Sequence, residues 1–474
     1  MRLLVFVLSG CGFREVADSD GLAQTGSDPT VTIVDPTLSD LTVGGCPAAP
    51  STLKVTFNTP NPTVAVLEFG PTADYGYSSV PGTEPKTDHH LQVPGFPGGS
   101  EWHWRIRVDG VDGPYTTADQ TFTGGSAPPE IPEFDLGVKT DGAYTPGFRL
   151  APGLSDPDFL TVVNDDGQSV WWQTFDHPYA ASQARVDANG AGISYLLQDY
   201  TRESDLGEIV HRDWCGEVVD EITAPWGHHD YVVLPWGGYA FVAADIREFM
   251  GTSIVGDAIM EMAADGSGLT SVWSTWDNLE MTLAPDCEVE FYPQGCDWTH
   301  GNGVYYDAGE DAYYYSSHAL STVVRVDRNG GGEAAGVNDW VAGTGSPDAT
   351  LEFADTRTEW MHQHGFKAVG DNEYVLFDNG PGGTTISEVR RVLVDEESGV
   401  VSTLWNFAYD GQHTSQLLGD VQLLANGNYY VGWGSEAEIT EVTPDQEIVW
   451  QVGFEVGVAL AFTNHVEQIG GEQP

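Results

Sequence analysis

Two short sequence patterns alternate along residues 135–474, and each of them occurs six times. The first is an Asp or Asp-Gly turn that leads into a strand-like segment containing Trp or Val. Its copies begin at Asp166, Asp213, Asp265, Asp327, Asp395 and Asp445. These starts are 47, 52, 62, 68 and 50 residues apart, which is the period of the blades of a β-propeller.

The second pattern lies between copies of the first and consists of an alternating apolar run, a glycine-containing turn and an aromatic strand. Its copies are SQARVDANGAGISYLL, HDYVVLPWGGYAFVAA, HGNGVYYDAGEDAYYYSS, HGFKAVGDNEYVLFDNG, GDVQLLANGNYYVGWG and the truncated NHVEQIGG. A four-stranded sheet cannot bury both of its faces alone, so such units stack around a common axis. The interleaved repeats predict a six-bladed β-propeller over residues 135–474.

The composition also indicates an all-β protein. The chain has 57 Gly and 27 Pro together with 15 Trp, 19 Tyr and 19 Phe, which is typical of short strands joined by tight turns. Ahead of the propeller, residues 29–125 contain alternating runs such as 53–57, 64–69 and 102–108 at the spacing of a seven-stranded sandwich. The last two strands of this region resemble those of a fibronectin type III domain, and we expect it to act as a spacer or an adhesion module. Residues 126–134 are proline-rich and predict a stiff linker.

The first eleven residues, MRLLVFVLSGC, combine one arginine with a short apolar run that is too short to remain as a membrane-spanning helix. They resemble a bacterial lipoprotein signal peptide in which Cys11 becomes lipidated, and the polar residues 12–28 then form a flexible tether. We therefore expect an exported cell-envelope lipoprotein, in the periplasm or on the outer-membrane surface, that meets the membrane only through its lipid anchor.

Four cysteines follow Cys11, and an exported protein can oxidise them. Cys287 and Cys296 flank the short segment EVEFYPQG, so we predict a disulfide between them. Cys46 and Cys215 fall in different predicted domains, and the sequence leaves their pairing open. No Cys-x-x-Cys zinc pattern is present.

The charge balance excludes some partners. With 71 Asp and Glu against 18 Lys and Arg, the formal net charge is −53. Such a field repels nucleic acids and anionic membrane surfaces, and it favours solubility. The acidic loops lack the Asp-x-Asp-x-Asp-Gly pattern of calcium sites. We expect no cofactor and no metal. The sequence leaves the oligomeric state open.

Histidines recur at one position of the repeat. The residues that open the second pattern are Ser182, His229, His300, His364, Gly419 and Asn464. A propeller brings equivalent positions of successive blades to its central channel, so His229, His300 and His364 are predicted to form a cluster. Three histidines fit a zinc site, and they also fit a site that transfers an anion, since imidazole is both a nucleophile and, when protonated, a cation.

Several motifs of the repeat resemble those of the bacterial arylsulfotransferases. The most distinctive are the QHG segment with the following FDNG, and the strand LLANGNYYVGWG. The resemblance implies an enzyme that moves a sulfuryl group from a phenolic sulfate ester to another phenol through a transiently sulfated histidine. It implies that His364 is the nucleophile, that His229 and His300 steady the sulfuryl oxygens, and that Asn302 helps to bind the sulfate.

One departure from the family pattern concerns positive charge. Where the family has Ser-Ser-Arg, this chain has Ser316, Ser317 and His318. Arg390 or Arg391 is expected to supply the missing charge, or His318 when protonated. The alternatives are a surface-anchored propeller that binds a ligand without chemistry, and a zinc hydrolase.

Overall fold

The computed structural model describes residues 31–32, 38–111, 113–281, 292–382, 385–409, 413–454 and 458–473. In these residues the only helical segments are one turn of α-helix at Thr275–Asn278 and a 3₁₀ turn at Gly434–Glu436. All other regular elements are strands, so the all-β prediction is confirmed.

Six antiparallel sheets surround one axis, which confirms the six-bladed propeller. We number the blades by their inner strands in chain order. The inner strands of blades 1 to 6 are Tyr179–Val186, Gly227–Val233, Gly301–Asp307, His364–Gly370, Asp420–Leu423 and Asn464–Val466. Each inner strand contacts the next, and the sixth contacts the first, so the ring is closed.

The remaining strands follow outward within each blade. Blade 1 continues with Gly192–Asp199, Gly207–Asp213 and Val218–Thr223; blade 2 with Tyr239–Phe249, Thr252–Met262 and Thr270–Ser274; and blade 3 with Ala312–Ser317, Thr322–Asp327 and Val337–Gly343. Blade 4 continues with Glu373–Asp378, Glu388–Asp395 and Val400–Phe407, and blade 5 with Tyr429–Gly432, Glu438–Val442 and Ile448–Gly453. Two short strands, Cys296–Asp297 and Glu352–Phe353, pair in parallel with blades 2 and 4.

Two exchanges between the ends of the propeller region close the ring. Blade 6 combines the late strands Asn464–Val466 and Ala459–Leu460 with the early strands Phe148–Leu154, Asp158–Val163 and Ser169–Phe175. Asp135–Lys139 adds a fifth strand to the outer edge of blade 5. The beginning and end of the propeller therefore hold each other through backbone hydrogen bonds.

The core lies between the faces of neighbouring blades. The aromatic second strands of the repeat are buried on both faces, and Ala312–Ser317 in blade 3 is buried throughout. Trp171, Trp273 and Trp450, which belong to the first sequence pattern and lie in outer strands, are also fully buried. A sheet with neighbours on both faces has no solvent side, which explains why these strands read as continuous apolar runs.

The N-terminal region is built around one long strand, Ala49–Gly70. Its first half pairs with Ser39–Cys46 and Lys86–Val93, and its second half pairs with Glu101–Gly110. The described strands of this region thus belong to one continuous sheet, with the shorter strands Val31–Thr32, Tyr77–Ser78, Tyr115–Thr116 and Gln120–Thr123 at its margins. The predicted runs at 53–57, 64–69 and 102–108 are all strands. The fibronectin type III identity stays a prediction.

The N-terminal sheet is fastened to the propeller. Cys46 forms a disulfide with Cys215 of blade 1, a pairing that the sequence left open. The strand Gly471–Glu472, at the end of the chain, pairs with Lys86–Val93 of the N-terminal sheet. Apolar residues of both regions also share one core. The two cysteines meet because the domains dock, which no local sequence pattern records.

Two predictions concern residues that lie wholly or partly outside the described ranges. Cys11 and the proposed tether lie outside the described residues. Cys287 also lies outside them, although Cys296 is disulfide-bonded. In the part of the chain that the structure describes, no helix is long and apolar enough to cross a membrane.

Candidate active site

Six histidines, contributed by blades 2, 3 and 4 and the segments between their strands, form one continuous group. The ring centroids of His229 and His300 are 5.2 Å apart, those of His300 and His318 are 5.1 Å apart, and those of His318 and His364 are 5.6 Å apart. His228 lies 5.0 Å from His229, and His362 lies 4.6 Å from His318. The three histidines that the repeat predicted therefore lie in one cluster, and three further histidines extend it.

Backbone conformation directs several of these rings. His229 has a φ of 59°, His300 a φ of 43° and His362 a φ of 56°, all in the left-handed region that residues other than glycine seldom occupy. Such a conformation costs about 1 to 3 kcal/mol at each position and persists only where the surrounding structure enforces it. The strain recurs where the inner strands of blades 2, 3 and 4 begin, and it accompanies the placement of the side chains in one cluster.

His364 has a defined tautomer. Its Nδ1 lies 2.8 Å from Oδ1 of Asn379, and the amide nitrogen of Asn379 donates to the carbonyls of Ser415 and Leu418. Because these two carbonyls fix the orientation of the Asn379 amide, its oxygen faces His364 and must accept a hydrogen bond from the N–H at Nδ1. Burial lowers the pKa of His364 to about 4, so the ring is neutral at pH 7. Its Nε2 therefore carries a free electron pair.

His300 has the opposite character. Its Nδ1 lies 2.6 Å from Oδ2 of Asp297, and its backbone N–H donates to Oδ1 of the same carboxylate. Burial opposes a charge on this ring, but the nearby Asp297 carboxylate outweighs burial and raises the pKa of His300. His300 is therefore the member of the cluster best able to hold a positive charge.

His229 ends a chain of hydrogen bonds that starts at Asp257. Nε2 of His228 lies 3.0 Å from Oδ1 of Asp257, and Nδ1 of His228 lies 2.8 Å from Nδ1 of His229. Burial lowers the pKa of both rings, so His228 donates to Asp257 and accepts from His229. This assignment leaves Nε2 of His229 without a proton. The resting ring can therefore accept a proton at Nε2, and the predicted role of His229 toward the sulfuryl oxygens stays a prediction.

His318 lies among other histidines and is buried, and its predicted role as the missing positive charge stays a prediction. Burial, followed by the neighbouring His300, holds the pKa of His318 well below its ordinary value, so the ring is neutral at pH 7. Its Nδ1 is buried and has no hydrogen-bond partner in the described part of the chain.

Asn302 and Arg390 have structural partners. The amide of Asn302 is buried and donates to the carbonyl of Gln363, the residue before His364. Arg390 donates to Asp378 and to the carbonyl of Arg357, and it pairs with Glu388. Across the described residues, no hydrogen bond or ion pair joins Arg390 to a histidine of the cluster. The predicted roles of both residues in sulfate binding stay untested.

Arg391 is also occupied, since it pairs with Glu373 in the middle of blade 4. The cation that contacts the cluster is Arg202, whose Nη2 lies 3.5 Å from Nδ1 of His229. Sequence reasoning missed it because it follows the second strand of blade 1, outside the register position on which the histidine argument rests.

Other residues missed by sequence reasoning had a visible signal. Asn379 belongs to the FDNG segment, and Asp297 lies three residues before His300. His228 directly precedes His229 in the HHD segment. Asp257 had no such signal, because it reaches the cluster from the third strand of blade 2.

The propeller axis also carries a charged cavity of about 350 Å³. Lys367 pairs with Asp420 there, at 2.6 Å, and Arg185 pairs with Asp230, at 3.4 Å. The buried acids of this cavity are thus balanced by cations. Among the described residues, no three His, Cys, Asp or Glu side chains are arranged to hold a metal ion.

The fold and the site together define a β-propeller with a buried histidine cluster that combines a neutral ring with a free electron pair and a ring that favours the charged form. The family model of the arylsulfotransferases (ASST) matches residues 139–466, which is most of the propeller. The chain therefore belongs to the arylsulfotransferase family. The comparison with curated proteins found no match.

Several solved structures are similar to this chain in fold alone. A protein of unknown function from Bacteroides caccae has 12% identity and a TM-score of 0.40, over 68% of this chain and 100% of that one. A catalytically inactive virginiamycin B lyase from Staphylococcus aureus, in complex with quinupristin, has 11% identity and a TM-score of 0.35, over 67% and 88%. A streptogramin B lyase has 11% identity and a TM-score of 0.36, over 70% and 98%.

Proposed function

We propose that this protein transfers a sulfuryl group from an aryl sulfate to a phenol, with His364 as the transient carrier. The observation that supports this most strongly is the contact between His364 and Asn379. It holds the proton on Nδ1 and leaves Nε2 as a neutral nucleophile at physiological pH. Membership of the arylsulfotransferase family supports the same donor and acceptor classes.

The first half-reaction forms one bond and breaks one. Nε2 of His364 attacks the sulfur atom, the bond from sulfur to the aryl oxygen breaks, and the donor leaves as a phenolate. His300, charged beside Asp297, stabilises the sulfuryl oxygens. Fixed charge of this kind carries much of the catalysis of phosphoryl transfer, and sulfuryl transfer places similar demands on a site.

The second half-reaction regenerates the histidine. The acceptor phenol attacks sulfur, the bond from sulfur to Nε2 of His364 breaks, and the phenolic proton passes to Nε2 of His229. His229 can pass its Nδ1 proton to His228, whose charged form Asp257 stabilises at 3.0 Å. The proton is finally released to solvent, so the net reaction converts an aryl sulfate and a phenol into a phenolate, a new aryl sulfate and a proton.

The test is a transfer assay with p-nitrophenyl sulfate as donor and a phenol as acceptor, run with and without a chelator. We expect ping-pong kinetics and no effect of the chelator. His364→Ala should abolish transfer. His229→Gln should retain the initial burst of nitrophenolate but slow the acceptor-dependent step, whereas His300→Gln should slow both steps.

The alternative outcomes are distinct. A folded protein that binds an aryl sulfate but never turns it over would support the ligand-binding propeller and overturn the proposal. Activity that is lost with a chelator and restored by zinc would support a hydrolase instead. The cellular setting is proposed as well: export and anchoring at Cys11 would place the reaction in the cell envelope, and lipid labelling that fails in Cys11→Ala would test this.

A further inference from the structure

Arg202 is unusual among the cations of this acidic protein because no described carboxylate pairs with it. Residues 135–474 contain ten arginines, and all except Arg202 and Arg212 form an ion pair with a described residue. Arg212 is half-buried and donates to the hydroxyl of Tyr195 and the carbonyl of Gly216. Arg202 is buried, with 8% of its surface exposed. A buried cation without a carboxylate is costly unless something else compensates its charge.

The position of Arg202 is held by its backbone. It has a φ of 56°, its N–H donates to the carbonyl of Asp199, and its own carbonyl accepts a 2.6 Å hydrogen bond from Gln294. Its guanidinium lies over the ring of Tyr292, 5.2 Å from the centroid. The loop after the second strand of blade 1 is thus tied to the segment that leads into His300, and it carries the arginine to the histidine cluster.

The guanidinium has hydrogen-bonding capacity to spare. Its one contact with a described side-chain acceptor is the 3.5 Å approach of Nη2 to Nδ1 of His229. Since the proton on that Nδ1 is directed to His228 at 2.8 Å, the approach is electrostatic rather than a hydrogen bond. Of the five N–H groups of an arginine, none is therefore committed to a described side chain.

The charge of Arg202 reaches the cluster. After burial and the neighbouring His228, it helps to lower the pKa of His229, and it acts in the same direction on His228. Arg202 and His300 both contact His229. Two cationic groups around a neutral imidazole favour an anion between them.

We propose that Arg202 is an anion-binding residue of the histidine site and that it binds oxygens of a sulfate-class group there. A planar guanidinium suits this role, because its parallel N–H groups match two oxygens of a tetrahedral anion. The assignment to the sulfuryl group of a substrate rests on the proposed function, whereas binding of a sulfate anion does not. Arg202 thus takes the place that the sequence analysis sought in Arg390, Arg391 or His318.

The experiment is a titration of the whole protein with inorganic sulfate, followed through the ring resonances of ¹⁵N-labelled histidines. In the wild type, sulfate should shift the resonances of His229 and His300. Arg202→Gln should weaken sulfate binding about 10- to 100-fold, which is the usual worth of a hydrogen bond to a charged group. Arg202→Lys, which keeps the charge but loses the parallel N–H groups of the guanidinium, should weaken binding several-fold. Arg212→Gln is the matched control and should bind sulfate as the wild type does.

Thermal unfolding verifies that each variant is folded. If Arg202→Gln does not fold, the comparison of Arg202→Lys with the wild type tests the inference. Unchanged sulfate affinity in the folded Arg202 variants would overturn the inference. If aryl sulfates are not turned over but sulfate binding still depends on Arg202, the anion site stands and the proposed function fails. If turnover is found and the Arg202 variants bind sulfate normally, the proposed function stands and the inference fails.

Discussion

Nδ1 of His364 lies 2.8 Å from Oδ1 of Asn379, and the amide nitrogen of Asn379 is held by two backbone carbonyls at 2.8 Å each. The asparagine therefore acts as a hydrogen-bond acceptor of fixed orientation. It leaves an electron pair on Nε2, the ring nitrogen that the proposed mechanism uses as the nucleophile. Proper orientation of a nucleophile is among the larger contributions that a folded site makes to catalysis.

Removal of this acceptor should cost activity. We expect Asn379→Ala to lower kcat/KM by about 100-fold, since the ring then loses its preferred tautomer and its orientation. Nitrogen chemical shifts of His364 should show a mixture of tautomers in the variant and a single Nδ1–H form in the wild type. Asn338→Ala, which removes a hydrogen-bonded asparagine of blade 3 far from the histidines, should change neither. Full activity in Asn379→Ala would contradict the account.

The activity should have two pH limits. His364 must be neutral to attack, so activity should fall as the pH drops through its pKa of about 4. His300 must be charged, and because Asp297 raises its pKa, activity should fall again only at a pH above the ordinary histidine value of about 6.5. In Asp297→Asn the upper limit should move to lower pH while the lower limit stays. The exposed Asp265→Asn is the control, and an upper limit that does not move would remove His300 from this role.

The titration of His364 should make the stability of the fold depend on pH. In the unfolded chain His364 titrates near pH 6.5, and in the folded protein near pH 4, so the unfolded state binds more protons between these values. The free energy of unfolding should thus decrease as the pH falls from 6.5 to 4, by about 3 kcal/mol from His364 alone. Denaturant unfolding of the wild type and of His364→Gln should show a steeper pH dependence for the wild type. Equal slopes would show that His364 is not held neutral.

The link between the domains should stabilise the fold without serving the chemistry. Cys46 and Cys215 are 169 residues apart in the chain, and the bond between them joins the N-terminal sheet to blade 1. Replacing both by serine should lower the free energy of unfolding by about 2 to 5 kcal/mol and leave kcat of the folded protein unchanged. The two values are measured by denaturant titration and by the transfer assay. A large loss of kcat in the folded variant would mean that the N-terminal sheet takes part in the site.

Much of this architecture could be predicted from the sequence, because the blades repeat the same sequence patterns at equivalent structural positions. His229, His300 and His364 share a register position, and the ring of inner strands converts that position into a cluster. The register of the inner strands does not predict which residues of other strands and loops reach the site, however. Arg202 and Asp257 come from other positions of their blades, so only the folded chain shows that they reach the histidines.

Charge was harder to predict than position. From the sequence, Arg390 and His318 were candidates for the missing cation. Arg390 is paired with Asp378 and Glu388, and burial keeps His318 neutral. Which of several arginines is left without a carboxylate depends on side-chain contacts across blades. The pairing of Cys46 with Cys215 depends in the same way on the docking of two domains.

The central claim is that His364 carries the sulfuryl group during turnover. The most direct measurement is mass spectrometry of protein quenched after incubation with excess p-nitrophenyl sulfate and no acceptor. The account predicts a sulfate-mass adduct on the peptide spanning residues 360–367, located at His364 rather than His362, absent from His364→Ala and discharged when a phenol is added. Active protein that carries no adduct on this peptide, or carries it on another histidine, would contradict the claim.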